Sequence, residues 1–230
     1  METHFFSDLA LIPYEQAWRL QLQLVAARQN SLLERDVVLF LEHPPVVTMG
    51  RRGGHEHLNV SKSFLEKSGV SLLEVERGGD ITYHGPGQLV VYPIIKLGAS
   101  GLGVIDLVEM IEEVMIRTVA DWGLRACRNP LNRGAWIGDD KLGSIGIAVR
   151  RGISFHGLAL NVNPDLTPFD WITPCGLSGV KMTRMTAHAA GPVTVAEVKS
   201  AMKGHWEKIF GVMLKDISFD SLMLCIKETP

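Results

Sequence analysis

Five consecutive apolar residues, Val37, Val38, Leu39, Phe40 and Leu41, constrain this chain more than any other feature. A run this short, closed by Pro44-Pro45, reads as a buried strand and not as a helix. Further strands are expected at residues 46–49, 72–75 and 89–95, and a first one at residues 5–12. Helices are expected from Pro13 to about Gln29, with Tyr14, Trp18, Leu22 and Val25 on one face, and over residues 104–122, with Val104, Leu107, Val108, Ile111, Val114 and Met115 inward and Gly123 closing the end. Ile145, Ile147 and Val149 alternate at period two up to Arg150-Arg151-Gly152, and Ile153, Phe155, Leu158, Leu160 and Val162 return, which is a hairpin. Thr194 with Glu197 forms a capping box for a helix that turns Val195, Val198, Met202 and Ile209 inward. A short helix is expected over residues 218–227. Most strands are joined by short turns and not by crossover helices. The expected class is therefore α+β (α/β), a mixed, largely antiparallel sheet with packed helices. No linker divides residues 1–230, so one catalytic domain is expected.

With 46% hydrophobic residues, a large core can be buried. A net charge of −2 gives no general attraction to nucleic acid or to an anionic membrane, and neither is expected as a partner. Three cysteines without paired spacing argue for a reducing compartment and against a disulfide framework or a structural zinc site. No signal peptide and no membrane-spanning run is read, so a bacterial-type cytoplasm is the expected location and a monomer the default state.

Four segments carry the candidate chemistry. Arg77, Gly78, Gly79, Asp80, Ile81, Thr82, Tyr83 and His84 continue into Gly85-Pro86-Gly87-Gln88, with four glycines and one proline in twelve residues. Glycine lets the backbone approach a ligand, and the polar residues between can line the same space. The cluster reads as a ligand-lining loop and matches neither the phosphate-binding nor the dinucleotide-binding glycine pattern. Lys141 opens the strand that holds Gly143, Ser144, Ile145 and Gly146; a strand bare at two glycines wants something packed there. An isolated lysine beside Asp139 and Asp140 is more commonly solvated. His156 precedes Gly157, Leu158 and Ala159 on the return strand, with even odds of being a satisfied core histidine. Cys175, between Pro174 and Gly176, sits in a rigid irregular turn, whereas Cys127 and Cys225 fit the ordinary buried thiol. A reactive cysteine needs an electropositive setting, which Lys141 would supply if adjacent. His55-Glu56-His57 reads as surface loop, Trp171 and Trp206 as core or interface, and no metal site is expected. On residues alone, a cysteine hydrolase using His84 or His156 as base stays open.

Taken in order, RGGDITYHGPGQLVVYPI, KLGSIGIAV, SFHGLALNV and PCGL, with HPPVVTMG upstream, closely resemble the lipoyl(octanoyl) transferases over about residues 8–212. The resemblance implies a biotin/lipoate protein ligase-like fold. It also implies transfer of an octanoyl group from octanoyl-acyl carrier protein to a lysine of lipoyl domains, such as those of glycine-cleavage H protein and 2-oxoacid dehydrogenase subunits. It places the nucleophile at Cys175 and the partner lysine at Lys141. Substrate binding falls on Arg77 to His84, on Ser144, Ile145 and Gly146, and on Gly157, Leu158 and Ala159. His156 and Gln88 would stand behind them, and no cofactor is expected. Gly146, Gly157 and Ala159 are expected to leave an acyl slot open, so that Gly146→Val shortens the accepted chain. The Gly78-Gly79 turn is expected to help hold the oxyanion. Arg51-Arg52 and Arg150-Arg151 are the basic pairs available to an acidic carrier. The rivals are an ATP-dependent lipoate or biotin ligase and a non-catalytic acyl-carrier or lipoyl-domain binding module.

Overall fold

The computed structural model describes residues 1–98, 101–174 and 179–227. Strands β1 (Glu2–Leu11), β2 (Val37–Glu42), β6 (Gln88–Ile94), β7 (Cys127–Asn129), β8 (Asn132–Ile137), β9 (Asp140–Arg150), β10 (Ile153–Asn161) and β11 (Val212–Asp216) form one sheet in the order β11-β1-β2-β6-β10-β9-β8-β7. Only the two pairings made by β1 are parallel; the others are antiparallel. A second sheet, β4-β3-β5, joins β3 (Val46–Met49), β4 (Ser71–Glu74) and β5 (Ile81–His84). The mixed, largely antiparallel architecture is the expected one.

The continuous apolar run of β2 is explained by cover on both faces of the large sheet. Val38 and Phe40 join the core beneath α3 (Val104–Ala120) and α4 (Val195–Phe210), with Leu107, Ile111, Met115, Met202 and Trp206. Val37, Leu39 and Leu41 face α1 (Tyr14–Gln29) and α5 (Phe219–Lys227), with Leu20, Leu24 and Leu222. Trp206 is fully buried and Trp171 packs edge-on to Phe64. The capping box at α4 forms as read: Glu197 N–H donates to Thr194 Oγ1 at 3.3 Å and Thr194 N–H to Glu197 Oε2 at 3.0 Å.

Several expectations need correction. The buried stripe of α1 runs through Tyr14, Ala17, Gln21, Leu24, Val25 and Arg28, with Trp18 and Leu22 at its margin. Val104 is 44% exposed, and with Val108 it lines a cavity rather than the core. Cys127 is exposed on an edge strand instead of buried, and Cys225 is half-buried against the α1 core. The strand at residues 81–84, the helix α2 (Lys62–Lys67), and β7, β8 and β11 carry no clear periodic signal and were not expected. Among the described residues no helix is long and apolar enough to cross a membrane.

Candidate active site

The first turn of the site is the loop before β5. Gly78 N–H donates to the Ile147 carbonyl at 3.0 Å, laying residues 77–79 directly across β9. The approach is possible because of glycine on both sides: a Cβ at Gly146 would lie 2.9 Å from Gly78 O and 3.2 Å from Arg77 Cδ, and one at Gly78 would lie 2.9 Å from Ile147 O. Arg77 is buried and its guanidinium donates to Thr48 Oγ1, the Thr48 carbonyl and the Gly78 carbonyl. Beneath this bridge is a cavity of about 210 Å³. Arg77, Gly78, Gly79, Asp80, Ile81, Thr82 and His84 line it from one side, and Ser144, Ile145, Gly146, His156, Gly157, Leu158 and Ala159 from the sheet. Three segments remote in sequence thus meet at one space.

Tyr83 is the exception. Alternation along β5 turns it away from the cavity, edge-on to Phe169 at 5.5 Å in the core of the small sheet. The expected reasons for the glycines also change. A Cβ at Gly157 would sit 1.9 Å from the Val91 carbonyl oxygen, so this glycine serves the close approach of β6 and not an acyl slot. Gly146 makes room for Gly78. Gly157→Ala should therefore cost about 3 kcal/mol or more of stability by overpacking, read as a lower urea midpoint with unchanged slope. Gly146→Val should lift the loop at residues 77–79 and abolish activity instead of shortening the accepted chain, which a chain-length series on the variant would show. The Gly78 N–H is already committed to Ile147 and is not an oxyanion donor.

Lys141 is not a solvated lysine: it is 1% exposed. Its Nζ donates to Asn132 Oδ1 and stands 5.2 Å from the centre of the Trp136 ring. Asn132 lines the cavity, which brings the lysine to one end of it. The strand is fixed from behind by Glu112 of α3, itself 1% exposed, which accepts from Gly134 N–H at 2.9 Å and Arg133 Nη1 at 3.0 Å. On its other edge the Lys141 backbone exchanges bonds with Lys181 O (2.8 Å) and Thr183 N–H (2.9 Å). Cys175 lies outside the described residues. The chain ahead of it is tied by Thr173 N–H to the His57 carbonyl at 2.8 Å. His57 in turn has Nδ1 2.7 Å from Asp80 Oδ2, so the HEH turn lies at the surface as expected, with none of its residues buried, and is tied to the site through Asp80.

A directional relay ties the lysine strand to His84. The Thr183 carbonyl accepts from Asn161 Nδ2 (2.9 Å), Asn161 Oδ1 from Gln88 Nε2 (2.9 Å), and Gln88 Oε1 from His84 Nδ1 (2.6 Å). Because a carbonyl can only accept, every amide in the chain is oriented and His84 Nδ1 carries the proton. Gln88 stands behind His84, where the sequence reading put it. The other end of the cavity is closed by His84 and by His156, which lines it directly instead of standing behind, together with Tyr14 and Tyr92 and, against them, His43, three residues not singled out for the site from sequence. His43 Nδ1 donates to Ile12 O and its Nε2 accepts from the Tyr92 hydroxyl, both at 2.7 Å. Tyr14 Oη lies 3.3 Å from His156 Nδ1, with rings stacked 6.5 Å apart.

Burial keeps all of these groups uncharged. It lowers His43 to about 4 and, helped by Arg77, His156 to about 3. It drives His84 well below 6.5, with His43 and Arg77 adding to the effect, and raises Tyr14 to about 12. A histidine depressed in the fold binds its proton first in the unfolded chain. Stability is thus whole above pH 6.5 and falls as pH drops from there toward the folded values. His43 and His156 together should steepen the loss to as much as about 3 kcal/mol per pH unit between pH 6 and 4.5. Urea titrations at pH 7.5, 6.0 and 5.0 check this, with a shallower dependence expected in His156→Asn.

Arg150, one of the basic residues offered for docking, is engaged by Glu76 at 2.7 Å, while Arg52 reaches the cavity.

A family model described as the lipoyl protein ligase A/B catalytic domain matches residues 13–207. An octanoyltransferase of Desulfotalea psychrophila is 47% identical over 209 residues, 90% of this chain and 94% of the relative. One of Syntrophobacter fumaroxidans is 43% identical over 206 residues, 90% of each. Among solved structures, a putative lipoate protein ligase of T. acidophilum, Ta0514, superposes with a TM-score of 0.78 at 17% identity, covering 99% of this chain and 93% of that one. A biotin protein ligase of Leishmania major in complex with biotin gives 0.54 at 12%, over 91% and 81%. At such identities these two speak for the fold.

Proposed function

The chain belongs to the lipoyl protein ligase A/B catalytic domain family, and on that footing we propose that it is an octanoyltransferase that loads lipoyl domains through a cysteine thioester. The donor is octanoyl-acyl carrier protein. The acceptor is a lysine of a lipoyl domain, such as that of glycine-cleavage H protein or of a 2-oxoacid dehydrogenase subunit. The observation that supports this reading best is a buried lysine bonded to Asn132, which lines a cavity walled by glycines and aliphatic residues together with polar and charged groups such as Arg77 and Asp80. Seven apolar carbons buried there contribute roughly 6 kcal/mol at about 0.8 each.

The Cys175 thiolate attacks the thioester carbonyl; the C–S bond to the carrier breaks, and the pantetheine thiolate leaves with a proton from the Lys141 ammonium. The amine of the lipoyl-domain lysine then attacks the new thioester and gives up its proton to Lys141. An amide forms and Cys175 is released. One thioester replaces another in the first step and an amide replaces a thioester in the second, so neither needs ATP or a cofactor. A ligase reading rests on the fold likeness and on a family that takes in ligases by name, whereas the sequence relatives at 43–47% identity are octanoyltransferases. A lipoyl domain incubated with octanoyl-carrier and enzyme, without ATP, should gain about 126 Da as one octanoyl amide; a gain only when ATP and free octanoate are supplied favours the ligase.

A further inference from the structure

The cavity has a length as well as a volume. Ser144 and Ala159 face each other across β9 and β10 at the end marked by Asn132, and His156 lies three residues further along β10. At about 3.3 Å per residue that is roughly 10 Å. An extended eight-carbon acyl chain, with seven C–C bonds of about 1.5 Å in zigzag, is about 9 Å long.

His156 is turned into that far end. Neighbouring strand residues point to opposite faces, yet a φ of +54° brings the His156 ring to within 4.9 Å of the Phe155 ring. Few residues other than glycine adopt this backbone readily. The side chain is 1% exposed and its Nε2 is buried without a hydrogen-bond partner. Tyr14 is bonded to its other nitrogen, and the Tyr92 ring stands edge-on to it at 6.2 Å.

We propose that His156, backed by Tyr14 and Tyr92, is the end wall that sets the acyl chain-length limit of the transfer reaction. The inference rests on the octanoyltransferase reading and adds its specificity determinant. An eight-carbon chain ends against the wall. Two or four further methylenes would have to displace the imidazole or press on a buried polar nitrogen that they cannot bond.

The test is kcat/KM for octanoyl-, decanoyl- and dodecanoyl-carrier with wild type, His156→Gly and Tyr14→Leu. Glycine accepts a φ of +54° without strain, so the first variant opens the wall without bending the strand. Tyr14→Leu opens it from the helix side. Wild type should prefer octanoyl to dodecanoyl by about 100-fold, and each variant should cut that ratio at least about tenfold. Wild type that transfers dodecanoyl as readily as octanoyl, or folded variants that keep the wild-type ratio, would overturn the proposal. Wild type that transfers no octanoyl at all contradicts the functional reading itself.

Discussion

Lys141→Met should lower kcat/KM by about 1,000-fold while leaving the protein folded. Methionine keeps the unbranched stem that runs beneath Gly134, whose own Cβ position lies 3.3 Å from Lys141 Cε, so the packing survives. What would be lost, on the proposed mechanism, is the proton carrier of the reaction. Burying a charged ammonium at 1% exposure would be costly, so an uncharged side chain of similar length is expected to leave the fold about as stable, although Asn132 loses a hydrogen bond. Urea midpoints within the error of wild type, beside an activity near the limit of detection, would separate the chemical role from a structural one. Alkylation adds a readout that packing cannot mimic. Without the lysine, the rate of Cys175 modification by iodoacetamide should titrate closer to the ordinary thiol value of about 8.5. Activity within threefold of wild type would remove Lys141 from the reaction.

Cys175→Ser should have an effect at least as large. A serine hydroxyl is a far weaker nucleophile at neutral pH than a thiolate, so the substitution removes the reacting group while changing a single atom. Transfer should fall by about four orders of magnitude or more, because the covalent route is lost outright. Cys127→Ser, on an exposed edge strand away from the cavity lining, should change nothing measurable and serves as the control.

Much of this architecture could be read before any coordinates. The run at residues 37–41, the hairpin around Arg150-Arg151-Gly152 and the Thr194–Glu197 capping box are local statements, decided by neighbours in sequence, and each stands where it was expected. Of the second sheet, β3 and β4 stand where strands are expected, but β5, four residues long and embedded among glycines, carries no readable signal. The ligand-lining segments were found because glycines and polar residues are concentrated in them, but the physical reason for those glycines was misjudged. At Gly146 and Gly157 the space is filled by backbone of the same chain, a matter of tertiary distance that no pattern records. The same holds for the far wall: Tyr14, His43, His84, Tyr92 and His156 come from a helix, a loop and three strands, and nothing in their spacing announces that they meet. Helical spacing places Tyr14 on a buried helix face, as the structure does, but carries no information on what its hydroxyl meets.

The central claim is that an octanoyl group rests on Cys175 between donor and acceptor. Intact-mass spectrometry of the protein mixed with octanoyl-carrier, without ATP, tests it most directly. Wild type should gain about 126 Da, Cys175→Ser should gain nothing, and addition of a lipoyl domain should return wild type to its starting mass. A wild type that never gains mass although octanoyl reaches the lipoyl domain, or a Cys175→Ser protein that still transfers, would contradict the account.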